Sequence, residues 1–248
     1  MNEPIVSNDT VLGGRVRVFQ PVTGYRAAID PVLLAASIQA GAGEKVLDVG
    51  CGVGAAALSL AARLVDIRVW GIEVQRELVR LALQNVTANE MTGRVDLMGG
   101  DLLSPPPRLG PGGFDHVMAN PPFEVAGTGN APPDAGKAVA SVEGEARLVD
   151  WVSFCQRMVR HKGSVTFIHR ADRLDELLAA MRGGLGDLVM FPLWPGNSGK
   201  AAKRVLVRGR KGVAAPLRIL PGLVLHGEGG AYTAEADAVL RDAGPLVF

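Results

Sequence analysis

The chain has 248 residues, 48% of them hydrophobic, which is enough for one large α/β domain with its own core. A net charge of +1 gives no overall attraction to nucleic acid or membrane, so a polyanionic partner would have to meet a local basic patch. Cys51 and Cys155 cannot form a disulfide framework and show no metal-ligand spacing, and no signal sequence or membrane-spanning stretch is evident. We therefore expect a soluble cytoplasmic protein.

Strand and helix patterns alternate along the chain from about residue 45 to residue 211. The predicted strands are 45–49, 68–73, 94–98, 114–119, 164–169, 187–194 and 203–210. The predicted helices between them are 55–64, 75–89, 147–159 and 172–181, the last with Asp172 as N-cap. This alternation predicts an α/β fold with a mostly parallel seven-stranded sheet and helices on both faces.

Two flanks and one long loop accompany this core. Before it, Asp30 as N-cap and Pro31 as first helical residue predict a helix that ends near residue 40. After it, residues 216–248 predict a hairpin turn at 227–230 and a short helix at 234–241. We expect a single domain, 1–248, with an N-terminal flank (1–40), a core (41–212) and a C-terminal hairpin extension (213–248). Residues 124–141, rich in Ala, Gly and Pro, predict a mobile loop.

The first predicted core strand ends in a glycine-rich turn, Gly50-Cys51-Gly52-Val53-Gly54, whose backbone can approach a ligand closely. With Glu73 at the end of the next strand, the turn is also compatible with the dinucleotide fingerprint of NAD enzymes. Asp48, two residues before the first glycine, favours a ligand that carries a positive charge and no phosphate, such as S-adenosylmethionine. The alternative is that Asp48 bonds only to local backbone N–H groups.

The segment Asn120-Pro121-Pro122-Phe123 follows the strand at 114–119. Asn120 offers a side-chain oxygen and Pro121 a backbone oxygen, and both can accept hydrogen bonds from an NH2 group. The two prolines stiffen the backbone, and Phe123 offers a flat face on which a base can stack. The combination predicts a site that holds a planar amino group, although each part alone is also typical of a turn or a core aromatic.

In this order, the motifs resemble those of class I S-adenosylmethionine-dependent methyltransferases, and the Asn-Pro-Pro-Phe element resembles the subset that methylates amino groups. Residues 20–36 (QPVTGYRAAIDPVLLAA) and 168–174 (IHRADRL) are similar to the tRNA(Val) adenine-N6 methyltransferase family. The resemblance covers nearly the whole chain. It implies a Rossmann-like fold, S-adenosylmethionine as cofactor, and methyl transfer to N6 of an adenine in tRNA.

The resemblance also implies a role for each motif residue. Glu73 would accept hydrogen bonds from the ribose hydroxyls and Asp101 one from the cofactor adenine, although Asp101 is equally typical of a turn. Tyr25 and Arg26 would close the pocket from the N-terminal side. The implied cofactor-binding residues are Tyr25, Asp48, Gly50, Cys51, Gly52, Gly54, Glu73, Val74, Asp101, Leu102 and Asn120. The implied catalytic residues are Asn120, Pro121, Pro122 and Phe123.

Residues Lys200–Lys211 contain six basic side chains and no acid. On a strand, Arg204, Arg208 and Arg210 would share one face. That face predicts either a phosphate-binding contact for RNA, with the tRNA anticodon loop as the implied partner, or an edge strand protected by charge.

Three other functions stay open at the level of the sequence. A protein glutamine N5-methyltransferase is compatible with the same motifs, because the acceptor in glutamine is an amide nitrogen, which like an adenine amino group is planar and a poor nucleophile. An NAD-dependent oxidoreductase is compatible with the glycine turn but not readily with Asp48. A non-catalytic RNA-binding relative would keep the fold and lose the chemistry.

Overall fold

The computed structural model of the chain describes residues 5–23, 26–123, 145–197 and 199–248. Its first element is an antiparallel pair of strands, β1 (Val6–Val11) and β2 (Val16–Pro21), joined by a 3-10 turn at Leu12–Gly14. The sequence patterns predict only a flank here. Tyr25 and the predicted loop at 124–141 lie outside the described residues.

The core elements follow in alternation after helix α1 (Asp30–Ser37). In chain order they are β3 (Lys45–Val49), α2 (Ala55–Arg63), β4 (Arg68–Glu73), α3 (Arg76–Ala88), β5 (Val95–Gly99), β6 (Phe114–Ala119), α4 (Leu148–Met158), β7 (Val159–Arg170), α5 (Leu174–Met181), β8 (Leu185–Gly196) and β9 (Arg204–Lys211). The last elements are β10 (Arg218–Ile219), β11 (Leu223–His226) and α6 (Ala234–Leu240).

One sheet contains β3 to β9 in the order β5-β4-β3-β6-β7-β9-β8. The neighbours from β5 to β7 run parallel, and β9 is antiparallel to both β7 and β8. The predicted α/β class and the mostly parallel sheet are confirmed. The described sheet contains more strands than the seven predicted, because β10 and β11 both pair with the outer edge of β8.

The strand order reverses beside β3, which has β4 on one side and β6 on the other. In the register, Asp48 of β3 lies opposite Gly71 of β4 and Met118 of β6. Such a reversal leaves a crevice at the carboxyl ends of the strands, and ligands bind there in open α/β sheets. The sequence places both of its key motifs, the glycine turn and the Asn-Pro-Pro-Phe segment, at this end.

The sheet has a hydrophobic core on each face. One core packs α1, α2 and α3 and includes Val18 of β2 and Val239 of α6. The other packs α4 and α5 around Phe167, which is fully buried. Both flanks thus contribute to the same core as the central strands, which supports our proposal of a single domain. No helix among the described residues is long and apolar enough to cross a lipid bilayer.

A buried asparagine connects the N-terminal strand pair to the sheet. Asn85 of α3 accepts a hydrogen bond from the Phe19 N–H at 2.7 Å and donates to the Phe19 carbonyl at 3.0 Å. It also donates to the carbonyl of Val53, in the glycine turn, at 2.9 Å. One side chain therefore holds β2 against the turn that precedes α2.

Two predicted helix caps are wrong. Asp30 lies in the first turn of α1, and its carboxylate pairs with Arg204 instead of capping the helix. Asp172 lies in a 3-10 turn before α5 and pairs with Arg170, which leaves Arg173 at the N-cap. In both cases the carboxylate binds an arginine and not the backbone N–H groups of the helix: Arg204, distant in sequence, for Asp30, and Arg170, two residues away, for Asp172.

The predicted C-terminal hairpin is only partly formed. The turn occurs at Glu228–Gly230, but the returning chain makes a single antiparallel bridge, His226 to Tyr232. The strand β11 pairs with β8 instead, because that edge offers it a longer run of backbone partners. The idea that the basic strand is an edge is also wrong, since β9 lies between β7 and β8.

Candidate active site

A cavity of about 350 Å³ opens at the carboxyl ends of β3, β4 and β6. This volume lies in the range of about 300–1,000 Å³ that is typical of small-molecule sites. The cavity brings together twelve of the residues predicted from the sequence: Asp48, Gly50, Cys51, Gly52, Glu73, Val74, Asp101, Leu102, Asn120, Pro121, Pro122 and Phe123. Of the two others, Gly54 is not in the lining, and Tyr25 is not among the described residues.

Two glycines of the turn serve different purposes. Gly50 has a φ of +68°, and a Cβ there would lie 2.3 Å from the ring of Trp151. Gly54 has a φ of +85° and precedes α2, where a Cβ would lie 2.6 Å from Leu97. Gly50 therefore shapes the cavity, whereas Gly54 allows α2 to pack closely on the sheet.

The carboxylate of Glu73 is held by backbone amides at the end of β4. Its Oε2 accepts from the Gly52 N–H at 3.0 Å and its Oε1 from the Gln75 N–H at 2.8 Å. Burial raises the pKa of Glu73 above its ordinary value, and these amide bonds counteract part of that rise. The side chain is thus oriented before any ligand arrives, with acceptor oxygens for a pair of hydroxyl donors.

Asp48 is the most perturbed acid of the site. It is 2% exposed, a backbone N–H of Ala57 bonds to its carboxyl group, and its Oδ2 has no hydrogen-bond partner among the described residues. Burial, reinforced by the nearby charge of Glu73, raises the pKa of Asp48 to about 7. The bond to local backbone is thus present, and Oδ2 is left without a partner among the described residues, so the predicted role in ligand binding stays a prediction.

Asp101 is a turn residue that also lines the cavity, and its predicted contact with the cofactor adenine stays a prediction. Its Oδ1 accepts from the Leu103 N–H at 2.9 Å, as a turn residue does, and the residue lines the cavity. The preceding Gly100 donates its N–H to the Glu73 carbonyl at 3.0 Å, so the turn is fixed to the end of β4. Exposed Val74 and Leu103 form an apolar rim beside it.

The Asn120–Phe123 segment leaves β6 and enters the same cavity. Asn120 is partly buried and its Oδ1 is shielded from solvent. Phe123 contacts Arg204, whose guanidinium carbon lies 4.3 Å from the ring centroid, and His169, at 5.8 Å between centroids. The segment that the sequence singles out for an amino group therefore faces the two acids Asp48 and Glu73 across one cavity.

Among the lining residues that the sequence patterns did not predict are Trp151 of α4, and Ala27 and Pro31 from the N-terminal flank. Trp151 follows the apolar spacing of an amphipathic helix, so a core position is what its pattern predicts. Its Nε1–H is buried without an acceptor in the described part of the chain. Arg26, predicted to close the pocket, instead pairs with Asp9 of β1 at 2.8 Å.

Comparison with known proteins identifies the domain. Residues 28–133 match the family described as the methyltransferase small domain. This part of the chain is similar to a methyltransferase small domain. Together with the relatives and the solved structure described next, the match confirms the predicted class I methyltransferase fold and enzyme class, and the NAD-dependent oxidoreductase alternative is wrong.

Two relatives and one solved structure are similar to the methyltransferase over half of its length or more. A tRNA1(Val) (adenine(37)-N6)-methyltransferase of Aeromonas salmonicida is 28% identical over 84% of this chain and 85% of its own length. An rRNA N(6)-adenosine-methyltransferase of Caenorhabditis elegans is 30% identical over 55% of this chain and 56% of its own. The crystal structure of a predicted O-methyltransferase from Agrobacterium tumefaciens shares the fold, with a TM-score of 0.73 at 24% identity, over 88% of this chain and 98% of that one.

The polar groups of the cavity that lack a hydrogen-bond partner in the described part of the chain are complementary to groups of S-adenosylmethionine. The unpartnered Oδ2 of Asp48 suits a cationic ammonium or sulfonium group, and the Nε1–H of Trp151 lacks the acceptor that a carboxylate or ring nitrogen would offer. The Glu73 carboxylate, which the Gly52 and Gln75 amides orient, suits the two hydroxyl groups of the cofactor ribose. The apolar rim at Val74 and Leu103 suits a flat base.

Most of the basic side chains of strand β9 have partners within the protein. Arg208 lies over the Phe248 ring at 5.1 Å, Arg210 donates to the Lys162 carbonyl at 3.2 Å, and Lys211 donates to two carbonyls at the end of α4. Lys200 and Lys203 are exposed next to the cavity end of the strand. The predicted contact surface Lys200–Lys211 is therefore reduced to its first residues.

Proposed function

We propose that the methyltransferase transfers the methyl group of S-adenosylmethionine to the exocyclic N6 of an adenine in RNA, with a tRNA anticodon loop as the preferred substrate. One observation carries the proposal: Asn120–Phe123 lies in the same cavity as Asp48 and Glu73. The two acids bind the methyl donor, and the Asn-Pro-Pro-Phe segment binds the adenine that accepts the methyl group. Such a substrate would place the enzyme in the cytoplasm.

The acceptor nitrogen needs help from the protein. The lone pair of an adenine amino group is delocalised into the ring, so the nitrogen is a poor nucleophile. Hydrogen bonds from its NH2 to the Asn120 Oδ1 and the Pro121 carbonyl would favour a tetrahedral nitrogen whose lone pair points towards the methyl donor. Pro122 stiffens this backbone, so that the two acceptors do not have to be ordered during the reaction.

The reaction balances without a metal or a covalent enzyme intermediate. S-adenosylmethionine, when bound, supplies an electrophilic methyl group on a sulfonium. As the new C–N bond forms, the C–S bond breaks and sulfur keeps the electron pair, while the nitrogen afterwards loses a proton to water. Asp48 and Glu73 orient the donor, Asn120 and Pro121 orient the acceptor, and positioning supplies most of the acceleration.

Three observations favour RNA over protein as the acceptor. The two relatives named above are enzymes of tRNA and rRNA adenine methylation, and the first aligns with 84% of this chain. Phe123 offers an aromatic face to a base that is splayed out of a loop. Exposed Lys200 and Lys203 lie at the same end of the sheet, where they can meet phosphates.

A transfer assay with three acceptors tests the proposal. The protein is incubated with S-adenosylmethionine labelled at the methyl group and, separately, with unmodified tRNA, unmodified rRNA and a release-factor protein. We expect label in RNA, with tRNA the best acceptor, and none with the Asn120→Ala variant. Label only in the release factor would overturn the RNA assignment and support the glutamine alternative. Cofactor binding without transfer to any acceptor would support the non-catalytic alternative.

A further inference from the structure

Phe123 is held from outside the cavity by a group that we call the Phe123 mount, which consists of Asp30, His169 and Arg204. The Arg204 guanidinium carbon lies 4.3 Å from the Phe123 ring centroid, and the His169 ring lies 5.8 Å away at an angle of 42°. Phe123 lines the cavity, but no member of the mount does. The mount therefore contacts the ring from a side other than the one open to a substrate.

Arg204 is itself anchored at two points. Its Nε donates to the Asp30 Oδ2 at 3.0 Å, and its Nη1 donates to the Lys203 carbonyl at 3.3 Å. Both side chains of the ion pair are well shielded, with 30% of Arg204 and 18% of Asp30 exposed. A planar guanidinium fixed in this way keeps its cation–π position over the aromatic ring, whereas a free arginine would sample many rotamers.

His169 completes the mount as a neutral ring. It is fully buried, and neither ring nitrogen has a hydrogen-bond partner within the described ranges. Burial, followed by the charges of Arg173 and Arg204, lowers the pKa of His169 to about 4. Arg204 is therefore the cation that faces Phe123 at neutral pH, and His169 packs near Phe123 as an uncharged ring.

The mount also connects distant parts of the chain. Asp30 lies in the first turn of α1, whose next residue, Pro31, lines the cavity. Arg204 begins β9 and lies opposite Arg170, the last residue of β7. The position of the Phe123 ring thus depends on α1 and on the antiparallel end of the sheet, not only on the segment that carries it.

We propose that Arg204, anchored by Asp30, is a positioning residue that holds the Phe123 ring at the orientation needed for stacking of the acceptor. For an adenine acceptor this inference rests on the proposed function. The contact acts through Phe123 and not through the donor, because in the described part of the chain no hydrogen bond, ion pair or ring contact joins the mount to Asp48 or Glu73. Loss of Arg204 should therefore impair acceptor use and leave the affinity for S-adenosylmethionine unchanged.

A double-mutant cycle between Arg204→Met and Phe123→Leu tests the coupling. Single-turnover methyl transfer to unmodified tRNA is measured at saturating S-adenosylmethionine over a range of RNA concentrations. We expect Arg204→Met to lower the ratio of rate to half-saturating RNA concentration about tenfold. In the Phe123→Leu background the same change should have no further effect. Losses that multiply in the double variant would overturn the inference.

Two variants separate positioning from general damage. Arg210→Met lies on the same strand and face as Arg204 and also removes an arginine paired with an acid, Asp187, but it does not contact Phe123. It should leave transfer unchanged. Arg204→Lys keeps the cation and should retain more activity than Arg204→Met. Equal losses for Arg204→Met and Arg210→Met would overturn the inference.

A measurement without substrate makes the test independent of the acceptor. The seven phenylalanines are replaced by 4-fluorophenylalanine, and the fluorine resonance of Phe123 is assigned from its absence in Phe123→Leu. Arg204→Met and Asp30→Asn should each move this resonance by more than its linewidth, and Arg210→Met should not. An unmoved resonance would overturn the inference. A moved resonance with no methyl transfer to RNA by the wild type would overturn the proposed function and leave the positioning role intact.

Discussion

Replacing Asp48 by Asn should stabilise the ligand-free protein while it impairs the site. Burial raises the pKa of Asp48 from an ordinary 3.8 to about 7. Between about pH 4 and pH 7 the folded state therefore keeps a proton that the unfolded state has lost, so stability falls as the pH rises through this window. The shift of about three pKa units corresponds to about 4 kcal/mol of stability, all of it lost above pH 7.

The Asp48→Asn variant removes this ionisation and keeps an oxygen that can accept the Ala57 N–H bond. Urea denaturation of the ligand-free protein should show the variant more stable than wild type by about 4 kcal/mol at pH 8, and by well under about 1 kcal/mol at pH 4. Asp96→Asn, at an exposed position on β5, should show no such pH-dependent gain.

The same substitution should weaken S-adenosylmethionine binding, because it removes the charge that faces a cationic ligand. Calorimetric titration at pH 8 should show a lower affinity for the variant, by about 100-fold. An equal stability gain at pH 4 and pH 8 would refute the account of Asp48 as a buried acid. An unchanged affinity would refute its assignment to the donor side.

Three further substitutions test other parts of the site. Gly50→Ala should abolish cofactor binding and lower the free energy of unfolding by about 3 kcal/mol, because a Cβ would overlap Trp151; a calorimetric titration that still shows binding would contradict this. Glu73→Gln should weaken cofactor binding about 10- to 100-fold in the same titration, because an NH2 group replaces one of the two oxygens that accept from the Gly52 and Gln75 N–H groups; an unchanged affinity would contradict the role of Glu73 in the site. Asn85→Leu should cost about 3 kcal/mol in urea denaturation, because it strands the backbone groups of Phe19, and a cost near zero would show that this connection is not structural.

The sequence predicts the core of this fold well because its periodicities are local. Buried strands read as short apolar runs, and the amphipathic α3 shows its apolar face directly. The order of motifs along the chain then brings Asp48, Glu73 and Asn120 to one end of a parallel sheet, since all three follow or end strands that run in the same direction. For this reason twelve of the predicted site residues line one cavity.

What the sequence does not predict depends on contacts between distant residues. Asp30 has every property of an N-cap, and only the fold shows that Arg204, far along the chain, binds its carboxylate. Trp151 has the spacing of a core residue, and only the packing of α4 over Gly50 places its ring in the cavity. The charge of the basic strand is compatible with either an RNA contact or an edge strand, and only the fold shows that Arg208 and Arg210 have partners within the protein.

The position of the transferred methyl group tests the central claim most directly. RNA is incubated with the enzyme and S-adenosylmethionine that carries a deuterated methyl group, then digested to nucleosides and analysed by mass spectrometry. The account predicts a deuterated methyl group on N6 of adenosine with the wild type, and none with Asn120→Ala at saturating S-adenosylmethionine. A methyl group on a ring carbon or on the ribose, or an Asn120→Ala variant that still methylates N6, would contradict it.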